Sequence, residues 1–366
     1  MSLVVFPFKD EDLAVVSANL GIAAHHDRVD EVWAVAAEKG ETMAAVEEQA
    51  PAIAGSAGIP VSVFPQRRLG SMRRGKGDGM NTAIALSAER GFERTHFYDA
   101  DITNFDETWI DGAEAAADRG FGVVRHRFPR AATDAMITWM VTRPGLALLF
   151  PGSLLPRLGQ PLGGEVLLTR EVIEALAADT FVVARSDWGI DTVITHATSM
   201  LDTGIYEHYA ADGKRHALYG ALSEIREMLL ECLDAVGSLA ERPPPQAGLD
   251  SDSPAPVPAD LKTTVAYDVS ATRSQIAAAP EPGERALLES LGVDPSERVV
   301  MDGDRWRQVF PRLMERFVLG DHDWEAVAFR LWVERVIHYT ENQVPSGYDA
   351  AMAYLEQRVG EFEGSP

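Results

Sequence analysis

The sequence predicts an α/β chain of two domains: a sheet-and-helix domain over residues 1–220 and a mainly helical domain over 221–366. Three observations carry this. Short apolar runs alternate with amphipathic stretches up to about residue 209, long helical patterns take over after Ala221, and a proline-rich stretch at 241–260 follows the change. At 366 residues the chain can bury more than one core, and 46% hydrophobic with 24% charged residues is a globular composition.

The expected strands are residues 3–8, 31–36, 61–64, 95–98, 121–128, 165–169 and 205–209, each short and apolar, with helical stretches between most of them. In the second half, ALSEIREMLLECLDAVGSL, RWRQVFPRLMERFVL and DWEAVAFRLWVERVIHYT repeat apolar residues every three or four positions, so they read as helices. Trp306, Trp324, Phe329, Trp332 and Tyr339 follow that spacing and read as core. The helical half is expected to pack on the α/β half or to form a subunit interface, in a homo-oligomer. Residues 241–260 hold little that can be buried and read as a linker or exposed loop.

Composition excludes several classes. The longest apolar stretch, residues 135–141, stops at Thr142, Arg143 and Pro144, too short to span a bilayer. LVVFPF has no basic region before it and runs into KDED, which suits a strand and not a signal peptide, so the expected location is the cytoplasm. One cysteine, Cys232, leaves no intrachain disulfide. A net charge of -23 repels nucleic acid and anionic membrane, so neither is an expected partner. Two basic islands stand out against it: Arg67, Arg68, Arg73, Arg74 and Lys76, then Arg125, His126, Arg127 and Arg130. They suggest sites for small anions, or pairing with neighbouring carboxylates.

Five motifs could carry chemistry. In THFYDAD, Asp99 and Asp101 stand two apart at a strand end, so both carboxylates point to one side, where α/β sheets bind ligands. Converging carboxylates repel unless a cation joins them, and a hard divalent ion shared with diphosphate oxygens would do so; an acidic turn is the bland alternative. In RRGKGDGMN, Gly75, Gly77 and Gly79 surround Lys76 and lead into a helix, so amides, helix N-terminus and ammonium could all face an anion. A flexible surface turn is its alternative. QPLGGE places Gly163 and Gly164 where backbone could approach a substrate. RSDWGID offers Asp187, Trp188 and Asp191, a set that suits a sugar, or else a helix cap over a core tryptophan. In GKRHALYG, His216 could complete a metal site or be structural.

Taken in order, VFPFKDE, GKGDGMN, HFYDAD, RHRFPRAATDAMITWM, QPLGGE, RSDWGID and GKRHALYG resemble the mannosylglycerate synthase family, retaining glycosyltransferases of GT-A fold. The likeness covers nearly all of the first 235 residues and continues more loosely in FRLWVERVIHYT and GYDAAMAYL. It implies a GT-A mixed-sheet domain and transfer of mannose from GDP-mannose to the 2-hydroxyl of D-glycerate, with the α configuration retained. It also implies a divalent metal, Mg2+ or Mn2+ with Ca2+ as a further option, and a compatible-solute product.

Carried over by motif position, Asp101 and His216 look like metal ligands, and Asp99, with Ala100 beside it, looks like a contact to the donor's ribose or sugar. Pro7, Phe8, Lys9, Glu11, Gln66 and Lys76 look like nucleotide contacts, Glu11 accepting from guanine N–H groups. Leu162 and Gly163 look like part of the sugar site. Arg130, Thr138, Trp188, Tyr219 and Met228 look like acceptor-side residues. Asp191 looks like the carboxylate near the transferred sugar, so Asp191, Lys76 and Arg130 form the expected catalytic set. FPGSLLPRLG and residues 72–74 depart from the family pattern.

Rival readings are a glucosylglycerate-type or other hydroxy-acid glycosyltransferase and, more remotely, a sugar nucleotidyltransferase or a noncatalytic nucleotide-sugar binder. A nucleotidyltransferase wants a glycine-rich loop directly after the first strand, where this chain has PFKDE.

Overall fold

A computed structural model of the chain describes residues 1–216, 219–254, 257, 261, 267–296 and 299–364. Strands and helices alternate from the start: β1 (Ser2–Phe8), α1 (Leu13–Ala24), β2 (Glu31–Ala36), α2 (Glu41–Ala57), β3 (Val61–Pro65), α3 (Lys76–Arg90), β4 (Arg94–Phe97), α4 (Glu107–Asp118) and β5 (Val123–Arg127). There follow α5 (Arg143–Leu149), β6 (Val166–Thr169), α6 (Arg170–Ala178), α7 (Thr180–Ala184), α8 (Ile190–Ser199), β7 (Ile205–Tyr209), α9 (Arg226–Gly237) and β8 (Leu249–Ser251). The rest is helical, with α10 (Val269–Gln275), α11 (Pro282–Ser290), α12 (Gly303–Arg316), α13 (His322–Asn342) and α14 (Tyr348–Glu363).

The strands form one mixed sheet in the order β3-β2-β1-β4-β6-β5-β7-β8. β3, β2, β1 and β4 are parallel, β6 is antiparallel to both neighbours, and β5, β7 and β8 are again parallel. Continuous apolar runs such as LVVFPF suit β1 because both faces of a helix-covered parallel sheet are buried. One face packs Val4 and Phe6 against Val16 and Leu20 of α1. On β2, Trp33 meets Phe64 and Phe92 edge-on, at ring centroid distances of 5.5 Å. The chain moves from β1 out to β2 and β3, then crosses to β4 on the far side of β1. That reversal makes the carboxyl ends of β1 and β4 the switch point at which such sheets usually bind ligands.

All seven expected strands form, and an eighth comes from within the proline-rich stretch. Leu249–Ser251 pairs with β7, and the Asp252 carboxylate beyond it accepts from Tyr209 N and His208 Nδ1, each at 2.9 Å, and from the Tyr206 hydroxyl. LDS has little strand propensity of its own; its pairing comes from the neighbouring strand and these bonds. Of the expected linker, residues 255–256 and 258–260 lie outside the described residues.

Two compact units each gather separate stretches of chain. The first, Met1–Pro129, Leu162–Ala217 and Pro245–Leu261, contains the whole sheet. The second is helical and comprises Arg130–Pro161, Leu218–Pro244 and Lys262–Pro366. Residues 130–161, which lie inside the stretch expected to be α/β, belong to the helical unit: Arg143 of α5 forms a bidentate pair with Glu356 of α14 at 3.0 and 2.7 Å. Trp306, Trp332 and Tyr339 are buried there as expected, and Trp306 Nε1 donates to Met140 O at 2.8 Å, whereas Trp324 and Phe329 are only half-buried. No helix among the described residues is long and apolar enough to cross a membrane.

Candidate active site

The aspartate pair lies in the loop that leaves β4, within the first unit. Asn19 of α1, itself buried, donates through Nδ2 to Ala100 O at 3.0 Å and Ile102 O at 2.9 Å, which fixes the backbone on either side of Asp101. Lys76, the first residue of α3, places its ammonium 3.2 Å from Asp99 Oδ1 and 3.1 Å from Asp191 Oδ2 in the first turn of α8. The Trp188 ring centroid is 5.9 Å from the same nitrogen. A second lysine, Lys214, reaches the other Asp99 oxygen and also bonds the buried Glu165 Oε1 at 2.6 Å.

This small volume therefore holds alternating charges. Burial would raise the Asp99 carboxyl, but Lys214 and Lys76 outweigh it and hold the group well below the ordinary carboxylate range. Burial would likewise discharge Lys76, but Asp191, Asp99 and Glu165 outweigh it and keep the ammonium protonated. At Asp191 burial wins and the carboxyl is raised, with Lys76 opposing and Asp99 adding to the rise.

One glycine admits this arrangement. A Cβ on Gly164 would lie 2.5 Å from Lys76 Nζ and 2.9 Å from Asp99 Oδ1. Gly163, buried beside it, gives its carbonyl to Arg125 Nη2 at 3.0 Å. Leu162 is half-buried. Arg125 thus lies inside the protein, and His126 of the same basic island is also buried, bonding Trp109 O at 3.0 Å.

In the other basic island Arg67 lies 4.0 Å from Glu89, Arg74 donates to Ala37 O at 2.9 Å, and Arg68 pairs with a carboxylate of α3. Asp78, fully buried in α3, accepts from Leu69 N and Gly70 N, each at 3.0 Å, and pairs with Arg68 at 2.6 Å. A Cβ on Gly77 would sit 2.5 Å from Arg185 O and 2.8 Å from Ser186 Cα, and Asp78 N donates to Ser186 O at 3.2 Å. Gly77 therefore serves close packing of α3 on residues 185–186, which brings Asp191 within reach of Lys76. Asp187 is structural: it is fully buried, and its Oδ1 accepts from Gly189 N at 2.9 Å just ahead of α8.

The expected metal ligands meet. His216 Nδ1 is 3.7 Å from Asp101 Oδ2, and both side chains are partly open to solvent. Among the described residues no group of three or more His, Cys, Asp or Glu side chains could hold a metal ion. Two adjacent donors, one oxygen and one nitrogen, nevertheless fit a hard divalent ion whose other positions go to water and diphosphate oxygens. Asp99 is already occupied by two lysines.

The expected nucleotide residues gather at the ends of β1 and β3. A Cβ on Gly79 of α3 would touch Gln66 Oε1 at 3.1 Å and Pro7 Cβ at 3.7 Å. Gln66 and Phe8 are buried and Lys9 is exposed. Lys9 N donates to the Glu11 carboxylate, whose pKa burial raises, with Asp101 and Asp99 adding to the rise.

Of the expected acceptor residues, Trp188 belongs to the first unit, while Arg130, Thr138, Tyr219 and Met228 belong to the second. Arg130 donates from Nη1 to the buried Asp134 at 3.0 Å and from Nε to Gln160 Oε1 at 3.1 Å, so it makes the carboxylate pair open to it from the sequence. Thr138 is buried and opens a π-helical turn, Thr138–Thr142, against which α9, the helix carrying Met228, packs. Tyr219 is half-buried. Just before the π-turn, Ala135 has φ +56°, a left-handed backbone uncommon for alanine, and such departures cluster at functional sites.

Sequence reasoning missed Lys214, Glu165 and Asn19 as parts of this site; Arg125 was marked only as one of a basic island. Lys214 left a signal: like Lys76 it is one of only five lysines in the chain, and it stands two residues before His216. Asn19 left none, since its role depends on the loop that α1 meets.

Known proteins share this arrangement of sequence. A family model for the GT domain of mannosylglycerate synthase matches residues 2–238, and one for the mannosylglycerate synthase C-terminal domain matches residues 263–359. The chain is 46% identical over 374 residues to mannosylglycerate synthase from Rhodothermus marinus, covering 99% of this chain and 94% of that protein. It is 43% identical over 379 residues to mannosylglycerate synthase from Selaginella moellendorffii, covering 99% of this chain and 90% of the relative. Among solved structures, glucosyl-3-phosphoglycerate synthase from Mycobacterium tuberculosis, in complex with Mn2+, UDP-glucose and phosphoglyceric acid, superposes with a TM-score of 0.51 at 20% identity, over 66% of this chain and 80% of that one. That likeness shows the GT-A fold of the mixed sheet. With matches of this length in both the sheet domain and the helical C-terminal part, the chain belongs to the mannosylglycerate synthase family.

Proposed function

We propose that the chain transfers mannose from GDP-mannose to the 2-hydroxyl of D-glycerate, with the donor's α configuration retained and with a divalent ion, Mg2+ or Mn2+, bound. Family membership supports the substrates. The observation that carries the chemistry is the Lys76 ammonium, at the N-terminus of α3, held between Asp99 and Asp191.

Breaking the glycosidic bond leaves negative charge on the diphosphate and positive charge on the sugar. A divalent ion held by Asp101 and His216 would neutralise part of the diphosphate charge. Lys76 supplies a second, fixed cation for the same charge, kept protonated by the carboxylates around it. Asp191 orients sugar hydroxyls and stabilises the positive charge. The acceptor oxygen bonds the anomeric carbon from the face the diphosphate leaves, and its proton passes to the departing diphosphate oxygen. Glu11 accepts from guanine N–H groups, and Pro7, Phe8, Lys9 and Gln66 line the nucleotide. Leu162 and Gly163 meet the sugar; Arg130, Thr138, Trp188, Tyr219 and Met228 take the acceptor. The product suits a cytoplasmic compatible solute.

The test incubates the protein with GDP-mannose, GDP-glucose or UDP-glucose and with D-glycerate, 3-phospho-D-glycerate, lactate or glycolate, with and without chelator. Proton NMR reads the anomeric configuration. Chelator-sensitive formation of α-mannosylglycerate is expected. Preference for a uridine donor, a β product, or turnover unaffected by chelator would each overturn the matching part of the reading.

A further inference from the structure

Four hydrogen bonds dock residues 213–215 onto the loop that follows the aspartate pair. Thr103 donates from N and Oγ1 to Arg215 O at 2.7 and 3.2 Å. Asn104 Nδ2 donates to Gly213 O at 2.9 Å, and Arg215 N donates to Asn104 Oδ1 at 2.8 Å. The Asn104 amide therefore bonds residues 213 and 215 as a backbone peptide does in a strand ladder. Between those two residues, Lys214 turns inward to Asp99 and Glu165. His216 is the next residue after this docked stretch, and it arrives 3.7 Å from Asp101.

We infer that Asn104 is a positioning residue for divalent-ion binding: its side chain docks residues 213–215 and thereby holds His216 beside Asp101. The inference rests on the reading of Asp101 and His216 as metal ligands. Residue type matters here. An amide presents N–H donors and a carbonyl acceptor at once; aspartate at this position would keep the acceptor for Arg215 N but repel Gly213 O, and alanine would offer neither. Asn104 acts through His216 and not on the substrate, so its loss should weaken metal binding more than turnover.

The experiment titrates Mn2+ into wild type, Asn104→Ala and Asn104→Asp, each in the presence of GDP and without acceptor, reading free Mn2+ by electron paramagnetic resonance. Two hydrogen bonds of ordinary net worth correspond to about a tenfold to thirtyfold rise in the Mn2+ Kd for Asn104→Ala. Asn104→Asp should fall between it and wild type, and it carries the test if the alanine variant does not fold. In the transfer assay, saturating Mn2+ should restore kcat of Asn104→Ala to within about threefold of wild type. A purely structural role would lower the melting temperature and leave the Mn2+ Kd unchanged, which overturns the inference, as does lost activity that saturating Mn2+ fails to restore. If wild type itself bound no Mn2+ with GDP, the ligand assignment would fall first and this inference with it.

Discussion

The Lys76 ammonium lies 3.1 Å from Asp191 Oδ2, a contact between residues 115 positions apart that brings the start of α3 to the start of α8. Both groups are almost wholly buried, so neither has solvent as an alternative partner. Lys76→Met should lower kcat by about 10²- to 10³-fold, the usual cost of removing one fixed donor from a site of growing negative charge. Thermal unfolding checks that the fold survives. A rise in the donor KM alone, with kcat kept, would show that Lys76 binds the donor equally in ground and transition states.

Gly164 and Gly77 should separate function from folding. Gly164→Ala would push a methyl towards Lys76 Nζ and Asp99 Oδ1, groups that four charges hold in place, and should cost more than tenfold in kcat/KM with a small change in melting temperature. Gly77→Ala would press instead on the backbone of Arg185 and Ser186 and should destabilise by about 1–3 kcal/mol. Parallel melting curves and steady-state kinetics decide, and equal effects of the two changes on both readouts would refute the distinction.

Arg130→Lys keeps the charge and loses the planar fork. If Arg130 binds the acceptor carboxylate, the glycerate KM should rise about ten- to a hundredfold with the donor KM nearly unchanged. Arg130 also bonds Asp134 and Gln160. Reduced thermal stability with ordinary acceptor kinetics would assign it to those contacts alone.

Glu114 should govern part of the acid stability. It is fully buried and accepts from His96 Nε2 at 2.9 Å, Ser2 Oγ at 2.8 Å and Arg94. Burial opposes its ionisation, but His96 and Arg94 outweigh that and bring its pKa from 4.5 down to about 2. A depressed carboxyl binds fewer protons folded than unfolded, so its contribution is present above pH about 4.5 and is lost as pH falls towards 2, at most about 3 kcal/mol. Glu114→Gln should be less stable at pH 7 and lose less on acidification through that window. Urea unfolding at pH 7, 4.5 and 3 measures it; an acid slope equal to wild type would deny Glu114 this part.

The seven strands were legible because each carries its own apolar run, a local property of the chain. The Asp99–Asp101 pair, Lys76 and His216 were legible as motifs because their residue types are unusual where they stand. Their partners were not. Nothing local in Glu165 or Lys214 says that they share an ion pair, and the glycines around Lys76, which read as an anion cradle, include one that packs on residues 185–186. The Arg130 pairing was visible as an i to i+4 spacing, but whether the pair formed was a question for the fold.

The sequence by itself determined the alternation of strands and helices, the helical texture of the last third and the motifs that mark the family, because these depend on composition and spacing within short windows. Tertiary structure alone decided that Leu249–Ser251 joins the sheet, that residues 130–161 pack with the helices, and that Lys76 stands between Asp99 and Asp191. Those outcomes depend on which distant groups burial forces together, where an unpaired charge or backbone group would be too costly to leave alone.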